Sequence, residues 1–222
     1  DMGSRDYNMA RAGVDSHASE ADRFRFWFQS VEASLDMAID QVAQTGLIDT
    51  SRIGLTGYSR GTEIVAYAIT HSKRFRAASG AAGDGSPYSY YVYSAEGQLT
   101  FSRLMGGWPG GPAKKNWEEL APDLHAASID TPILNNDPDS EYLPDLPLYT
   151  TLKELGKPME LIIYPDELHW INQPKHRYEI YERNLDWFRF WLKSEESTDP
   201  AKVQQHERWR RLREMQAKGQ PN

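Results

Sequence analysis

Between Arg52 and His71 a four-residue β-type run, Ile53–Thr56, meets Gly57. After Tyr58, Ser59 and Arg60 a second glycine, Gly61, leads straight into the amphipathic run 62–71. A strand that passes into a helix with almost no connector must bend sharply. The residue at the bend is forced into a strained backbone conformation, and its side chain stands clear of the sheet. Here that residue is Ser59. Small residues two places before and after it let neighbouring backbone pass closely, and the helix N-terminus beneath favours negative charge developing on the side chain. The plainer alternative is a strand–turn–helix in which Ser59 only caps the helix.

The remaining chain repeats the alternation. Phe28, Val31, Leu35, Ile39 and Val42 recur at helical spacing over 22–45, with Gly46 placed to end the helix. A buried strand of small residues is expected over 75–82, a strand starting at Thr131, a helix over 146–155 stopped by Gly156, and a strand over 159–165 between prolines. A final helix over 178–193 carries Tyr181, Leu185, Phe188 and Leu192 on one face. Residues 84–116, rich in Gly, Pro and Tyr, read as irregular. Tyr88, Tyr90, Tyr91 and Tyr93 there would either line a groove or pack locally. Strands alternating with helices of ten residues or more predict an α/β domain with a mostly parallel sheet flanked by helices. The domain is expected over 1–195, followed by a charged tail, 196–222, forming a peripheral helix around Trp209 and Leu212. Four strands leave one sheet edge open, so the first strands are expected in upstream sequence. The chain starts at Asp1 with no signal-like segment, in keeping with that expectation.

Composition narrows the chemistry. With 222 residues, 39% of them hydrophobic, one sizeable core is affordable. A net charge of −7 argues against a nucleic-acid partner, which wants a basic face. No apolar run is long enough to span a membrane as a helix. Cysteine is absent, which removes thiol catalysis and cysteine metal sites, and no H-E-x-x-H pattern occurs; neither a metal nor a cofactor is expected.

In open α/β sheets the reactive groups sit on loops at the carboxyl ends of strands. Ser59 follows the first strand, an acidic cluster "NNDPDSEYLP" the strand from Thr131, and "DELHW" with His169 the last. Of six histidines only His169 lies directly beyond a strongly apolar strand. A serine needs a base to take its proton. A histidine can do this near neutral pH and return the proton to a leaving group, and a carboxylate can orient the imidazole. Asp137, Asp139 and Glu141 are all available as that carboxylate. The backbone N–H of Arg60, just after the serine, would be one oxyanion donor.

The serine–acid–histidine order is that of α/β-hydrolases. The segments "GLIDTSRIGLTGYSRG", "FRAASGAAG", "NWEELAPDLHAASIDTPIL" and "LYTTLKELGKPMELIIYPDELH" resemble the catalytic domain of prolyl-oligopeptidase-family serine peptidases from about residue 22 to 193. The resemblance implies the C-terminal part of an α/β-hydrolase catalytic domain. It also implies a peptidase working through an acyl-enzyme, with Ser59 and His169 in the triad, and a second oxyanion donor from an earlier loop. Family spacing counted forward from Pro132 lands on Glu141, and counted back from His169 on Asp137. The forward count is preferred, because strand length fixes where the loop starts while a helix readily loses a turn; Asp139 stands next. The chain departs from the family where "NNDPDSEY" replaces His-Gly-x-x-Asp and where Thr62 replaces a second glycine.

A narrower resemblance, carried by "GYSRGTEI", a glutamate at the acid position, "GWPGGP" and the tail "DPAKVQQHERWRRLRE", is to the bacterial lasso-peptide isopeptidases. It implies hydrolysis of the isopeptide bond that closes a threaded peptide ring. It further implies a bacterial cytoplasmic or periplasmic setting and a β-propeller upstream, carried by a segment or partner chain that completes the sheet. Two other readings use the same residues: an esterase or small-molecule acyl hydrolase, and a non-catalytic scaffold. A chain short of strands and of one oxyanion donor is expected to be unstable or inactive alone.

Overall fold

The computed structural model describes residues 18–83 and 86–218. Contacts group the chain into two units, 1–48 with 87–121, and 49–86 with 122–222.

The second unit holds the sheet. Strands β1 (Ile53–Thr56), β2 (Phe75–Ala81), β3 (Ile133–Pro138) and β4 (Met159–Tyr164) are all parallel and lie in sequence order. Helices α2 (Arg60–His71), α6 (Leu146–Glu154) and α7 (Pro174–Phe188) connect or follow them. The small side chains of β2 let helices approach on both faces. Ser79 Oγ donates to Asn184 of α7, and Ala77 lies under Trp187 and Phe190, while α2 packs on β1 and β2. Among the described residues β1 is paired on one side only.

Two expectations about this unit need correction. Strand β3 runs on through Asn135, Asn136 and Asp137, all buried, so the acidic cluster begins inside the strand and not after it. Along α7 and the π-helical turn Arg189–Lys193 that continues it, the expected apolar face is only half used. Trp187 and Phe190 are buried, with Phe188 and Leu192 partly packed beside them, but Tyr181 and Leu185 point to solvent. The helix carries apolar residues on two faces, and periodicity alone did not say which one meets the sheet.

The tail also behaves differently from a charged periphery. Its helix, α8 (Val203–Lys218), buries Trp209 completely against Trp187 and Phe190. Trp209 Nε1 donates to Glu160 Oε2 at 2.5 Å, and Arg208 Nε to Glu160 Oε1 at 2.6 Å, so a buried carboxylate on β4 is satisfied from α8. Contacts group 196–218 with the sheet. Trp209→Ala is expected to destabilise the protein by about 3–5 kcal/mol, through the lost ring and the cavity left behind. This corresponds to a fall in Tm of roughly 10 °C for a protein of this size. Thermal melting followed by circular dichroism checks it; an unchanged Tm would mean that α8 is dispensable.

The first unit is helical. Helix α1 (Glu20–Ala43) is capped by Ser19, whose side chain accepts from Asp22 N–H. Only its first turns are buried, through Ala21, Phe24 and Phe28; Val42 is exposed. The segment expected to be irregular holds two helices, α3 (Pro87–Tyr93) and α4 (Ala95–Met105), and α5 (Lys114–Leu120) falls mainly on the stretch from Asn116 that reads as a short helical piece. Ser94 caps α4 by accepting from Gly97 N–H, and Gly106 ends it. The tyrosines that read as loop composition pack locally, Tyr90 on Phe101 and Tyr88 and Tyr91 on Trp117.

Candidate active site

Ser59 sits between β1 and α2 with φ 56° and ψ −125°, a conformation that a non-glycine residue holds only when its surroundings fix it. The sheet ladder supplies the fixing, because Gly57 N–H donates to Ser79 O and Ser59 N–H to Ala81 O at 2.9 Å. Ser59 makes no side-chain capping bond, so the plain N-cap alternative fails. A side chain on Gly57 would put its Cβ 2.1 Å from the carbonyl oxygen of Gly61, and one on Gly83 would lie 2.3 Å from that of Ser59. Gly57→Ala is therefore expected to open the bend, lowering both Tm and the rate of Ser59 labelling by a fluorophosphonate. Wild-type values for both would show that the tight turn is not required.

Thr62, at the family's second-glycine position, ties the bend down. Its Oγ1 donates to Ala81 O and accepts from Ala81 N–H, both at 3.0 Å. Arg60 pairs through its guanidinium with Glu63 at 2.6 Å, which turns the side chain away to the first turn of α2, while its N–H keeps the position just after Ser59.

The three carboxylates separate cleanly. Asp137 is fully buried and its Oδ1 accepts from Ala82 N–H at 3.1 Å, supporting a residue with φ 47° at the end of β2. Asp139 accepts from the N–H groups of Asp166 and Glu167, at 2.9 and 3.2 Å, and so holds the turn after β4, where Asp166 has φ 55°. Glu141 follows a turn closed by its own N–H on Pro138 O, and its Oε2 lies 2.9 Å from His169 Nδ1. With the carboxylate charged, Nδ1 carries the hydrogen and Nε2 is left as the base.

The histidine loop is held at several further points that sequence reading missed. Ser140 Oγ donates to Glu167 O at 3.0 Å. Tyr58, the residue before the serine, donates its hydroxyl to His169 O and lays its ring 5.8 Å from the imidazole. Burial pushes the Tyr58 phenol up, and the nearby Glu141 and Glu167 charges push the same way, so it remains a donor. The Glu167 side chain, nearly fully buried, accepts from the N–H groups of Asn172 and Gln173 and pairs with His176 Nδ1 at 2.8 Å. Burial opposes its charge, but these bonds at the start of α7 outweigh that and hold its carboxyl below the usual range. An acidic residue shortly before a proline-initiated helix was the available signal for Glu167; nothing in the sequence marked Tyr58 as a clamp. Among the described residues, no group of three or more His, Cys, Asp and Glu side chains is placed to hold a metal ion, and no helix is long and apolar enough to cross a membrane.

The site can thus present a half-buried serine at a helix N-terminus and an imidazole oriented by a carboxylate, on loops of one parallel sheet. Comparison with known proteins points the same way. The family model described as Prolyl oligopeptidase family matches residues 35–195. The chain is 37% identical over 187 residues to the lasso peptide isopeptidase AtxE2 of Asticcacaulis excentricus, covering 83% of this chain and 27% of that protein. A solved structure of a serine-to-alanine variant of AtxE2 isopeptidase with Astexin3-dC4 bound superposes with a TM-score of 0.79 at 33% identity, over 91% of this chain and 31% of that one. The acylaminoacyl peptidase of Pyrococcus horikoshii superposes with a TM-score of 0.67 at 25% identity, over 79% of this chain and 29% of that one. The chain therefore spans about a third or less of the length of these relatives.

Proposed function

This chain belongs to the prolyl oligopeptidase family, and from that premise we propose that it hydrolyses amide or isopeptide bonds of peptides through an acyl-enzyme on Ser59. The observation that carries the reading is the 2.9 Å pairing of His169 Nδ1 with Glu141 on the loops of β4 and β3, with Ser59 in the strained bend after β1. Ser59 Oγ attacks the carbonyl carbon as His169 Nε2 takes its proton. The Arg60 N–H and the N-terminal field of α2 support the resulting oxyanion. The C–N bond then breaks, and the imidazolium gives its proton to the departing amine. A water activated by the same imidazole attacks the acyl carbon, and a carboxylic acid leaves with Ser59 restored. Glu141 holds the imidazole tautomer and balances the transient positive charge.

The narrower substrate is the isopeptide bond that closes the ring of a lasso peptide, supported by the 37% identity to a lasso peptide isopeptidase. A covering segment goes with it: sequence outside the described residues that completes the sheet beyond β1, supplies the second oxyanion donor and carries a β-propeller. Two observations support this. β1 is paired on one side only among the described residues, and the His169 and Glu141 side chains are 38% and 34% exposed. That is a wet setting for charges that act best in a water-excluded site.

The test offers the protein three substrates: a peptide ring closed from its N-terminal amine onto an Asp side chain, a linear peptide amide, and a nitrophenyl ester. Mass spectrometry is expected to show the ring opened by gain of one water, or the amide cleaved. Turnover of the ester alone would make the protein an esterase.

A further inference from the structure

Against the two rings that flank the imidazole, Tyr58 and Trp170, lies a cavity of about 510 Å³ that the triad does not line. Tyr58 and Trp170 stack at 5.7 Å with an interplanar angle of 25° to form one wall, and their rings lie 5.8 and 5.5 Å from that of His169. Ile180, buried, and Tyr181 contribute from α7, and Arg177 lies one turn earlier on the same helix face. Three features separate this cavity from ordinary surface. Trp170 and Tyr181 are 69% and 66% exposed, a large apolar area for side chains that no part of the fold requires there. The Arg177 guanidinium has no ion pair or side-chain hydrogen bond among the described residues, whereas its neighbour Lys175 is paired with Glu179. The volume suits several side chains of a bound ligand and exceeds the gap left by one.

Position decides which part of a substrate would enter. The imidazole returns its proton to the departing amine, so the amine side of the scissile bond lies against His169. The cavity is walled by the two rings that pack next to that imidazole. An unpaired guanidinium next to stacked aromatic rings is complementary to a carboxylate carried close to an apolar side chain. We propose that this cavity is the subsite for the amine side of the substrate, taking an apolar or aromatic side chain between Tyr58, Trp170 and Tyr181 and a carboxylate on Arg177. The proposal rests on the serine-hydrolase reading of Ser59, His169 and Glu141 and adds the chemical class of substrate that this site selects.

The released amine half can be tested without turnover. Gly-Phe-Asp amide and its neutral counterpart Gly-Phe-Asn amide are titrated into the protein, and their Kd values are measured by ligand-observed magnetic resonance. The acidic peptide is expected to bind about tenfold tighter, the preference to vanish in Arg177→Gln, and both peptides to weaken in Trp170→Ala. Equal binding of the two peptides by the wild type, as when another part of the protein covers the patch, overturns the proposal. So does a preference that survives Arg177→Gln. Fluorophosphonate labelling run in parallel keeps the two readings apart. An adduct on Ser59 without the acidic preference removes the subsite alone. The preference without an adduct supports binding in the cavity and removes the hydrolase reading.

Discussion

Ser59→Ala is expected to lose all covalent labelling by a fluorophosphonate and to lower peptide turnover by about 10⁴- to 10⁶-fold. The size follows from the division of labour. Every step served by His169 and Glu141 in this scheme passes through the acyl-enzyme on that hydroxyl, so without it the triad has no intermediate to form. What survives is orientation of the substrate and the oxyanion donor, which typically still exceed uncatalysed hydrolysis by 10³–10⁴. Alanine keeps the Cβ, and the backbone bonds that hold φ at 56° do not involve the hydroxyl, so Tm is expected to stay near the wild-type value. Turnover at the wild-type rate in Ser59→Ala would end the serine mechanism.

The second large effect concerns the carboxylate. Glu141→Gln is expected to lower turnover by about 10⁴-fold, because an amide in place of the carboxylate can present N–H to Nδ1, favour the wrong tautomer and put the hydrogen on Nε2. Asp137→Asn and Asp139→Asn are expected to act on stability first. Asp137 supports Ala82 N–H, and Asp139 supports the turn at Asp166, so each should lower Tm while leaving turnover per folded molecule within about tenfold of the wild type. The discriminating readout is turnover corrected for the amount of labelled Ser59. A crippling Asp139→Asn beside a near-normal Glu141→Gln would shift the acid by two residues.

The fate of these three carboxylates shows where sequence was informative. The bend at Ser59 and the loop at His169 were legible because each is a local junction: an apolar strand, a turn and a helix start within a few residues. The acid was harder, since three candidates stand within five residues and their directions depend on where β3 stops. The apolar run ends at Leu134, yet Asn135, Asn136 and Asp137 remain in the strand, buried by hydrogen bonds that no hydropathy pattern records, such as Asn136 with Asn184. Counting forward from Pro132 reached Glu141 because strand length constrains that interval. Counting back from His169 lands on Asp137, which is held by Ala82 N–H and not by the imidazole; the interval holds the nine-residue helix α6. The helices of 87–105 are hidden by glycines, prolines and tyrosines, whose local packing on Phe101 and Trp117 is tertiary. The exposed face of α7 was misread for the opposite reason: its periodicity is real, but Tyr181 and Leu185 lie on the outer face and Trp187 and Phe190 on the inner one.

One serine, held by the bend after β1 and served by His169 and Glu141, is expected to carry the reaction. Intact-mass measurement after brief exposure to a fluorophosphonate, followed by peptide mapping, tests it most directly. A single adduct is expected, on Ser59, formed much more slowly in Glu141→Gln. An adduct on another serine, or labelling of Ser59 at an undiminished rate in that variant, would contradict it.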